Sequence, residues 1–437
     1  MPGIASPTLP KQTTGTGKIM LLPFILVTSL FFFWGFVHNL DPILIPHLRK
    51  AFLLNDLQSS LVDSAVFIAY FLMALPAGYV MRKFGYKWGI LLGLLFFGVG
   101  CFLFIPAADT RQYIFFLGAL FVIACGLAFL ETAANPYATV LGPPHSATQR
   151  LNLAQSFNGL AAMVAPLIGK QFILSGKNYT EEELNAMLPA VKDAYLQSEA
   201  DSVKMPYLIL GIAIIIVAIV IYFTHMPDTK EEGDKETKSV FHAFRHKHLT
   251  WAVIAQFFYV GAQVCVGSFF IKLSMRVGLT EGQAATYLAL GYGLAFMVGR
   301  FVGTFLMRTI KPATLLTWYA VINVVLSIVA IFATGIAAVY SLIGIAFFMS
   351  IMFPTIFSLG IQDLGNDTKL GSSLIVMSIV GGALLPPVLG VISDATNNIQ
   401  YGYIVPLICF VVVGYFGWKG HKTKSLGEYE EAFRAGQ

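Results

Sequence analysis

Glu131 lies inside a long apolar run from Tyr113 to Leu141, in the sequence LETAANP (130–136). An ionised carboxylate near the middle of a bilayer costs about 3 kcal/mol even on lenient insertion scales, so such a residue is kept where it faces a bundle interior or a wet cavity. There it binds a proton, an ion or a polar solute; the structural alternative is a paired or interfacial acid. One turn on, Asn135 sets an amide on the same helical face. Further along, LNLAQSFNGLAAMVAP (151–166) places Gln155 and Asn158 three residues apart, with Gly159 and Ala162 permitting close approach. Two carboxamides in an apolar helix offer donors and acceptors that suit a polyhydroxylated solute. The same groups also serve to bond one helix to another.

A second polar stripe occurs in FFFWGFVHNLDPILIPHL (31–48), where Trp34, His38 and Asp41 follow at offsets of four and three, with Asn39 beside them. Pro42 removes a backbone donor and frees a carbonyl nearby. Asp41 reads either as a titrating carboxylate or as an interfacial acid near a helix end, and His38 as a proton relay or a hydrogen-bonded structural histidine. The later part of the chain is more aromatic. QFFYVGAQ (256–263) sets Tyr259 and Gln263 one turn apart, Phe296 precedes Arg300 by one turn, and Met352-Phe353 precede Pro354. Aromatic faces stack on the C–H faces of sugars, although in membrane helices they also pack or line the interface. Arg300 is placed to counter a carboxylate or to snorkel. No glycine loop ending in GK, no HExxH, no paired-cysteine zinc spacing and no serine–histidine–acid set competes with this picture. No enzyme activity, cofactor or metal is therefore expected.

The elements that must hold these groups follow from composition. Of 437 residues, 57% are hydrophobic and 12% charged, the mean hydropathy is +0.73, and a soluble domain carries about 25% charged residues. Apolar runs of about 20 residues, enough to cross the hydrocarbon core, recur from end to end. The expectation is an all-α polytopic membrane protein with twelve transmembrane helices near 21–46, 57–81, 87–106, 112–141, 151–174, 205–226, 250–275, 283–307, 312–334, 338–362, 371–393 and 402–419. Residues 21–226 and 250–419 then form two six-helix halves, joined by a charged linker at 227–249, with polar tails at 1–20 and 420–437. The loop from Ser175 to Lys204 contains EEELNAMLPAVKDAY, which suits a short surface helix. The net charge of +5 reflects loop lysines and arginines rather than a nucleic-acid surface. Those residues favour one side of the bilayer roughly two to one, which puts both termini in the cytoplasm. No signal peptide precedes the first span, which reads as an uncleaved anchor. Cys101, Cys125, Cys265 and Cys409 all fall in apolar helices and read as packing residues, and His242, His246 and His248 read as part of a solvated basic segment.

The halves resemble one another. PYATVLG (136–142) and PTIFSLG (354–360) share a proline, four residues and LG; GYVMRKFGYK (78–87) matches GTFLMRTIKP (303–312); Pro166 with Gly169 matches Pro387 with Gly390. A common offset of about 220 residues supports duplication, and paired halves around a midplane site describe secondary transporters. GYVMRKFGYK also resembles the loop between helices two and three of the major facilitator superfamily, with Gly78, Lys83, Gly85 and Lys87 fitting and Arg82 standing where an acid is usual.

LETAANP, RLNLAQSFN (150–158), QFFYVGAQ and PTIFSLGIQDLGNDTKLGSS (354–373) together resemble the bacterial fucose–galactose–glucose:proton symporter family of that superfamily. The resemblance covers nearly the whole chain. It implies alternating access and uptake of a monosaccharide, by a monomeric carrier of the bacterial inner membrane, driven by a proton gradient. It also implies that Glu131 couples proton and sugar, that Gln155 and Asn158 meet the sugar, and that Asn39 lines the same cavity. The family's helix-one acid aligns with Pro42, one residue beyond Asp41. Where L-fucose carriers of the family have a tryptophan this chain has Gly267, and a glutamine–tyrosine pair is replaced by Met352-Phe353. Less crowding and fewer hydrogen-bonding groups argue against L-fucose and for N-acetylglucosamine, glucose or galactose. Sodium coupling through Asp41, Asn39 and carbonyls freed near Pro42 is the alternative, and a sugar sensor that does not transport is a further one.

Overall fold

The computed structural model of the chain describes residues 20–40, 56–172, 181–227 and 240–423, with Leu44, Leu48, Phe52 and Tyr179 as isolated positions between them. Asp41 and Pro42 lie outside the described residues. The first half comprises α1 (Leu21–His38), α2 (Asp56–Phe84), α3 (Tyr86–Thr110), α4 (Tyr113–Val140), α5 (Ala147–Phe172) and α6 (Lys204–Phe223). The second half comprises α7 (Lys247–Ser268), α8 (Tyr287–Leu306), α9 (Pro312–Phe332), α10 (Ile336–Gly360), α11 (Thr368–Thr396) and α12 (Ile399–Gly420). Eleven of the described helices are long and apolar enough to cross a membrane. The remaining one, α5, is diluted by Gln149, Arg150, Asn152, Gln155, Ser156 and Asn158 in its first half, the residues that make it interesting.

Helices in a bilayer gain no hydrophobic energy from one another, so close packing of small residues holds them together. Gly93 and Gly126 bring α3 and α4 nearly backbone to backbone: a Cβ on Gly126 would lie 2.5 Å from Gly93 O and from Phe97 N. Cys101, Cys125, Cys265 and Cys409 are buried and free, as small packing residues should be. Between α5 and α6, two short helices, Glu181–Ala186 and Pro189–Asp201, occupy the expected surface segment. Arg111 binds Asp193 at 2.7 Å, and Lys204 binds both Asp109 and Asp201.

Basic residues close the helix ends on the side of the bundle that carries the α6–α7 linker. Arg150 is 3% exposed and donates to Pro143 O and Ser146 Oγ, both at 2.6 Å, and to Thr139 O. It thereby serves carbonyls at and beyond the end of α4, where the helix dipole favours a cation. This is why α5 begins at Ala147 rather than near 151: the turn that carries Arg150 must be helical to aim it backward. Lys87 does the same for α6, donating to Tyr222 O at 2.7 Å and Thr224 O at 2.9 Å. Gly85, between α2 and α3, has φ +89°, a conformation that explains its glycine. The histidines at this end are not solvated as expected. His248 is 4% exposed and bonds Gln362 O at 2.8 Å, while His246 meets Asp367 at 3.2 Å. Both tie the start of α7 to the α10–α11 loop, and the side chain of His242 lies outside the described residues.

The two halves meet chiefly at this linker end. Gly78 of α2 packs so tightly on Ser373 of α11 that a Cβ there would run into Ser373 Oγ. The Lys369 ammonium sits 5.1 Å from the centroid of the Tyr86 ring. Thr148 and Ser358 exchange a hydrogen bond of 2.9 Å, and Asn152 reaches Thr355 Oγ1 at 3.2 Å. The second half departs from regular helix near its middle. A π segment spans Tyr287–Gly293 in α8, α10 breaks between Met349 and Met352, and α11 passes through a 3-10 turn at Ser378–Val380.

Candidate functional site

Glu131 is 2% exposed on α4, and the neighbouring Asn135 is fully buried. Asn135 donates its amide to Glu131 O at 2.9 Å, which turns its own carbonyl outward to accept from Gln155 Nε2 at 2.9 Å. Gln155 is 2% exposed. The face read from sequence as carboxylate plus amide is therefore linked directly to the first carboxamide of α5.

On the far side of Gln155 stands Arg300. Its Nη1 donates to the backbone carbonyl of Gln155 and lies 3.3 Å from Gln155 Oε1, while its Nε donates to Ser350 O at 3.0 Å. The last contact has a covalent cause. Pro354 lacks the N–H that would bond the carbonyl four residues earlier, which is Ser350 O, and the break in α10 follows. The guanidinium supplies the missing donor and stacks 4.7 Å from the centroid of Phe296. Arg300 therefore neither snorkels nor pairs with an acid: it is 5% exposed, and no ion pair among the described residues includes it.

Toward α2, Tyr70 stands beside the Glu131 carboxylate, and the Tyr70 oxygen lies 3.1 Å from His38 Nε2 on α1. Tyr70 is 1% exposed. Asn39 donates to Gly35 O at 2.6 Å. Gly35 is needed there, since its Cβ would stand 2.8 Å from Asn158 Cγ. Asn39, Gly35 and the half-buried Asn158 thus form one patch where α1 crosses α5. Trp34, one residue earlier, is 6% exposed, and its indole Nε1 has no hydrogen-bond partner among the described residues.

The aromatic residues of the second half converge as well. Tyr259 and Phe353 lie 6.3 Å apart, edge to face, and Phe353 continues into a near-parallel pair with Phe357 at 6.5 Å. Gln263 is half-buried one turn beyond Tyr259. An added Cβ at Gly267 would find only Tyr292 Oη within 4 Å, at 3.6 Å, so that position does leave room. Met352 is fully buried. Among the candidates the structure joins Glu131, Asn135 and Gln155 in one hydrogen-bonded run, bonds His38 to Tyr70, gathers Asn39 and Asn158 at the α1–α5 crossing, stacks Phe296 on Arg300 and sets Phe353 against Tyr259. Asp41 lies outside the described residues. Sequence reading missed Tyr70, which has no spacing relation to Glu131 because it comes from another helix. It also missed Asn152, although Thr148, Asn152 and Gln155 follow at offsets of four and three and mark one polar stripe.

A buried carboxylate beside a bonded pair of amides, in a bundle of apolar helices long enough to cross a membrane, fits a membrane carrier rather than an enzyme. Comparison with known proteins agrees. Residues 24–369 match the family model described as Major Facilitator Superfamily. The chain is 42% identical to the L-fucose-proton symporter of Escherichia coli (strain K12) over 414 residues, 93% of this chain and 94% of that protein. It is also 42% identical to the glucose/galactose transporter of Brucella abortus over 404 residues, 91% and 93% of the two. The crystal structure of the transporter FucP in the outward conformation matches with a TM-score of 0.86 at 42% identity, over 92% of this chain and 99% of that one. The proton:xylose symporter XylE shares the fold alone, with a TM-score of 0.73 at 13% identity. The chain belongs to the Major Facilitator Superfamily, in the branch that holds the L-fucose and glucose/galactose transporters, and is a multi-pass membrane protein.

Proposed function

We propose that this protein takes up a hexose together with a proton by alternating access in a bacterial inner membrane, with both termini in the cytoplasm. The observation that carries the reading is the buried run from Glu131 through Asn135 to Gln155. It sets one titratable carboxylate a helix turn from amides of the kind that bond sugar hydroxyls, and relatives named for fucose–proton and glucose/galactose transport share the scaffold. Gln155, Asn158, Asn39 and the indole N–H of Trp34 offer donors and acceptors to the hydroxyls, and Asn135 fixes Gln155. Tyr259, Phe353 and Phe296 supply the apolar faces opposite, with Gln263 at the margin. With the linker end taken as cytoplasmic, contacts such as Gly78–Ser373 and Thr148–Ser358 close that side and leave the opposite mouth as the sugar's entry.

Glucose and galactose are the favoured substrates. The room beside Gly267 also admits a larger substituent such as the acetamido group of N-acetylglucosamine, although neither relative above is named for such a sugar. Uptake into proteoliposomes against a panel of L-fucose, D-glucose, D-galactose and N-acetylglucosamine, under proton and sodium gradients imposed separately, tests the reading. Accumulation of a hexose under the proton gradient alone is expected. Accumulation under sodium alone would make the cation wrong, and binding without uptake would make the protein a sensor.

A further inference from the structure

Tyr259, Gln263 and Gly267 follow at intervals of four on α7, and Tyr292, Phe296 and Arg300 do so on α8. Each trio therefore lies along one face of its helix. α7 leaves the linker end of the bundle and α8 returns to it, so Tyr259 and Arg300 mark the linker side of these faces, and Gly267 and Tyr292 the mouth side. Arg300 grips Gln155, a proposed sugar ligand, which sets the direction in which the α8 face looks. The two mouth-side ends meet: Tyr292 Oη stands 3.6 Å from where a Cβ on Gly267 would lie, and nothing else is within 4 Å of that point. Tyr292 is half-buried, and its ring is set edge to face against the buried Phe270, 5.8 Å away. Its hydroxyl makes no hydrogen bond among the described residues. The tyrosine sits between Gly291 and Gly293 in the π segment Tyr287–Gly293, and such wide turns inside helices recur at functional sites.

We infer that Tyr292 is a specificity residue whose hydroxyl reads the hydroxymethyl group of the sugar, a role that rests on the hexose reading above. A hexopyranose carries its other hydroxyls directly on the ring, whereas the hydroxymethyl group projects one carbon further. That substituent needs room as well as a polar partner. The missing side chain at Gly267 supplies the room, and the Tyr292 phenol, which both donates and accepts, supplies the partner. Gln155 then holds the ring from the linker side, and Phe296, one turn below Tyr292, offers a face to its C–H bonds. A 6-deoxy sugar in the same pose leaves the Tyr292 hydroxyl unpaired. A site built to bond a substrate hydroxyl discriminates strongly against the analogue that lacks it.

Tyr292→Phe keeps the ring against Phe270 and removes only the hydroxyl, and Gly267→Leu fills the room from the other side. Titration calorimetry on the purified full-length carrier compares D-galactose with 6-deoxy-D-galactose, and D-glucose with 6-deoxy-D-glucose. Wild-type protein is expected to prefer the hydroxymethyl sugar of a pair by about five- to 150-fold, the worth of one desolvated hydrogen bond. In Tyr292→Phe that preference should fall to about twofold or less, with affinity for the 6-deoxy sugar unchanged, a pattern that lost packing would not produce. Gly267→Leu should cost the hydroxymethyl sugar more than its 6-deoxy partner. Equal wild-type affinities within each pair, a preference that survives Tyr292→Phe, or an equal loss for both sugars in that variant would overturn the assignment and leave the hexose reading standing. Wild-type binding of none of the four sugars would overturn the hexose reading and this role with it.

Discussion

Arg300 from the second half donates to both the backbone and the side-chain oxygen of Gln155 from the first. One guanidinium therefore spans the seam between the halves and orients a proposed sugar ligand, while its Nε repairs the backbone defect left by Pro354. Arg300→Met leaves Ser350 O without a donor and Gln155 unheld. An orphaned buried acceptor costs about 1–3 kcal/mol, so the variant should melt at lower temperature in detergent and bind sugar more weakly. Arg300→Lys, a point charge on a flexible stem, cannot serve both sites at once and should recover only part of either property. Unchanged melting and affinity in the methionine variant would remove Arg300 from the site.

The seam at Gly78 and Ser373 leads to a prediction about conformation rather than binding. Gly78→Leu cannot fit against Ser373 Oγ, so the state closed at the linker end is penalised and the opposite state gains population. A substituent at this contact costs about 1–3 kcal/mol if the helices shift to accommodate it. The expected outcome is transport loss with greater reactivity of a cysteine placed at the linker-end seam, for example at Thr148. Unaltered reactivity would show that closure does not depend on this contact.

Much of this was legible in the sequence, for a physical reason. The apolar length needed to cross a bilayer is fixed, so the spans and the two halves could be read directly, and a polar residue within a span advertises itself by its cost. Glu131, Asn135 and Gln155 were visible on those terms. Arg300 was visible but misread, since an isolated cation suggests an acid, whereas its partners are carbonyls and an amide exposed by Pro354 on another helix. Tyr70 was hidden for a related reason: a tyrosine in an apolar helix carries no mark of what faces it. His246 and His248 looked like solvent-facing charge because the loop that buries them, Gln362 to Asp367, lies over a hundred residues away.

The patch where Asn158 meets Gly35 predicts how the amides divide their work. If Gln155 and Asn158 both bond the sugar, Gln155→Ala and Asn158→Ala should each weaken binding by about 1–3 kcal/mol, or roughly five- to 150-fold. Asn158 packs against Gly35 of α1 and makes no side-chain hydrogen bond among the described residues, so Asn158→Ala should leave melting nearly unchanged. Gln155 also holds Asn135 and Arg300, so Gln155→Ala should lower both affinity and stability. Titration calorimetry and thermal melts separate the two. Unchanged affinity in both variants would return these residues to helix packing.

Glu131 separates coupling from binding. A coupling carboxylate must release its proton toward one side and regain it from the other, while a simple ligand need only hold the sugar. Glu131→Gln preserves shape and hydrogen bonding but fixes the group in a form that resembles the proton-loaded acid. Gradient-driven accumulation should therefore be abolished, while sugar binding and exchange between two sugar-loaded sides persist, because exchange requires no proton release. Uptake and counterflow measured on the same proteoliposomes give the comparison. If the variant still concentrates sugar, the coupling site lies elsewhere and Asp41 becomes the residue to test. If binding disappears along with accumulation, Glu131 acts chiefly as a sugar ligand. The direct link from Asn135 to Glu131 runs through the backbone carbonyl rather than the carboxylate, so neutralising the side chain leaves the Asn135–Gln155 contact intact. For that reason binding is expected to survive while accumulation fails.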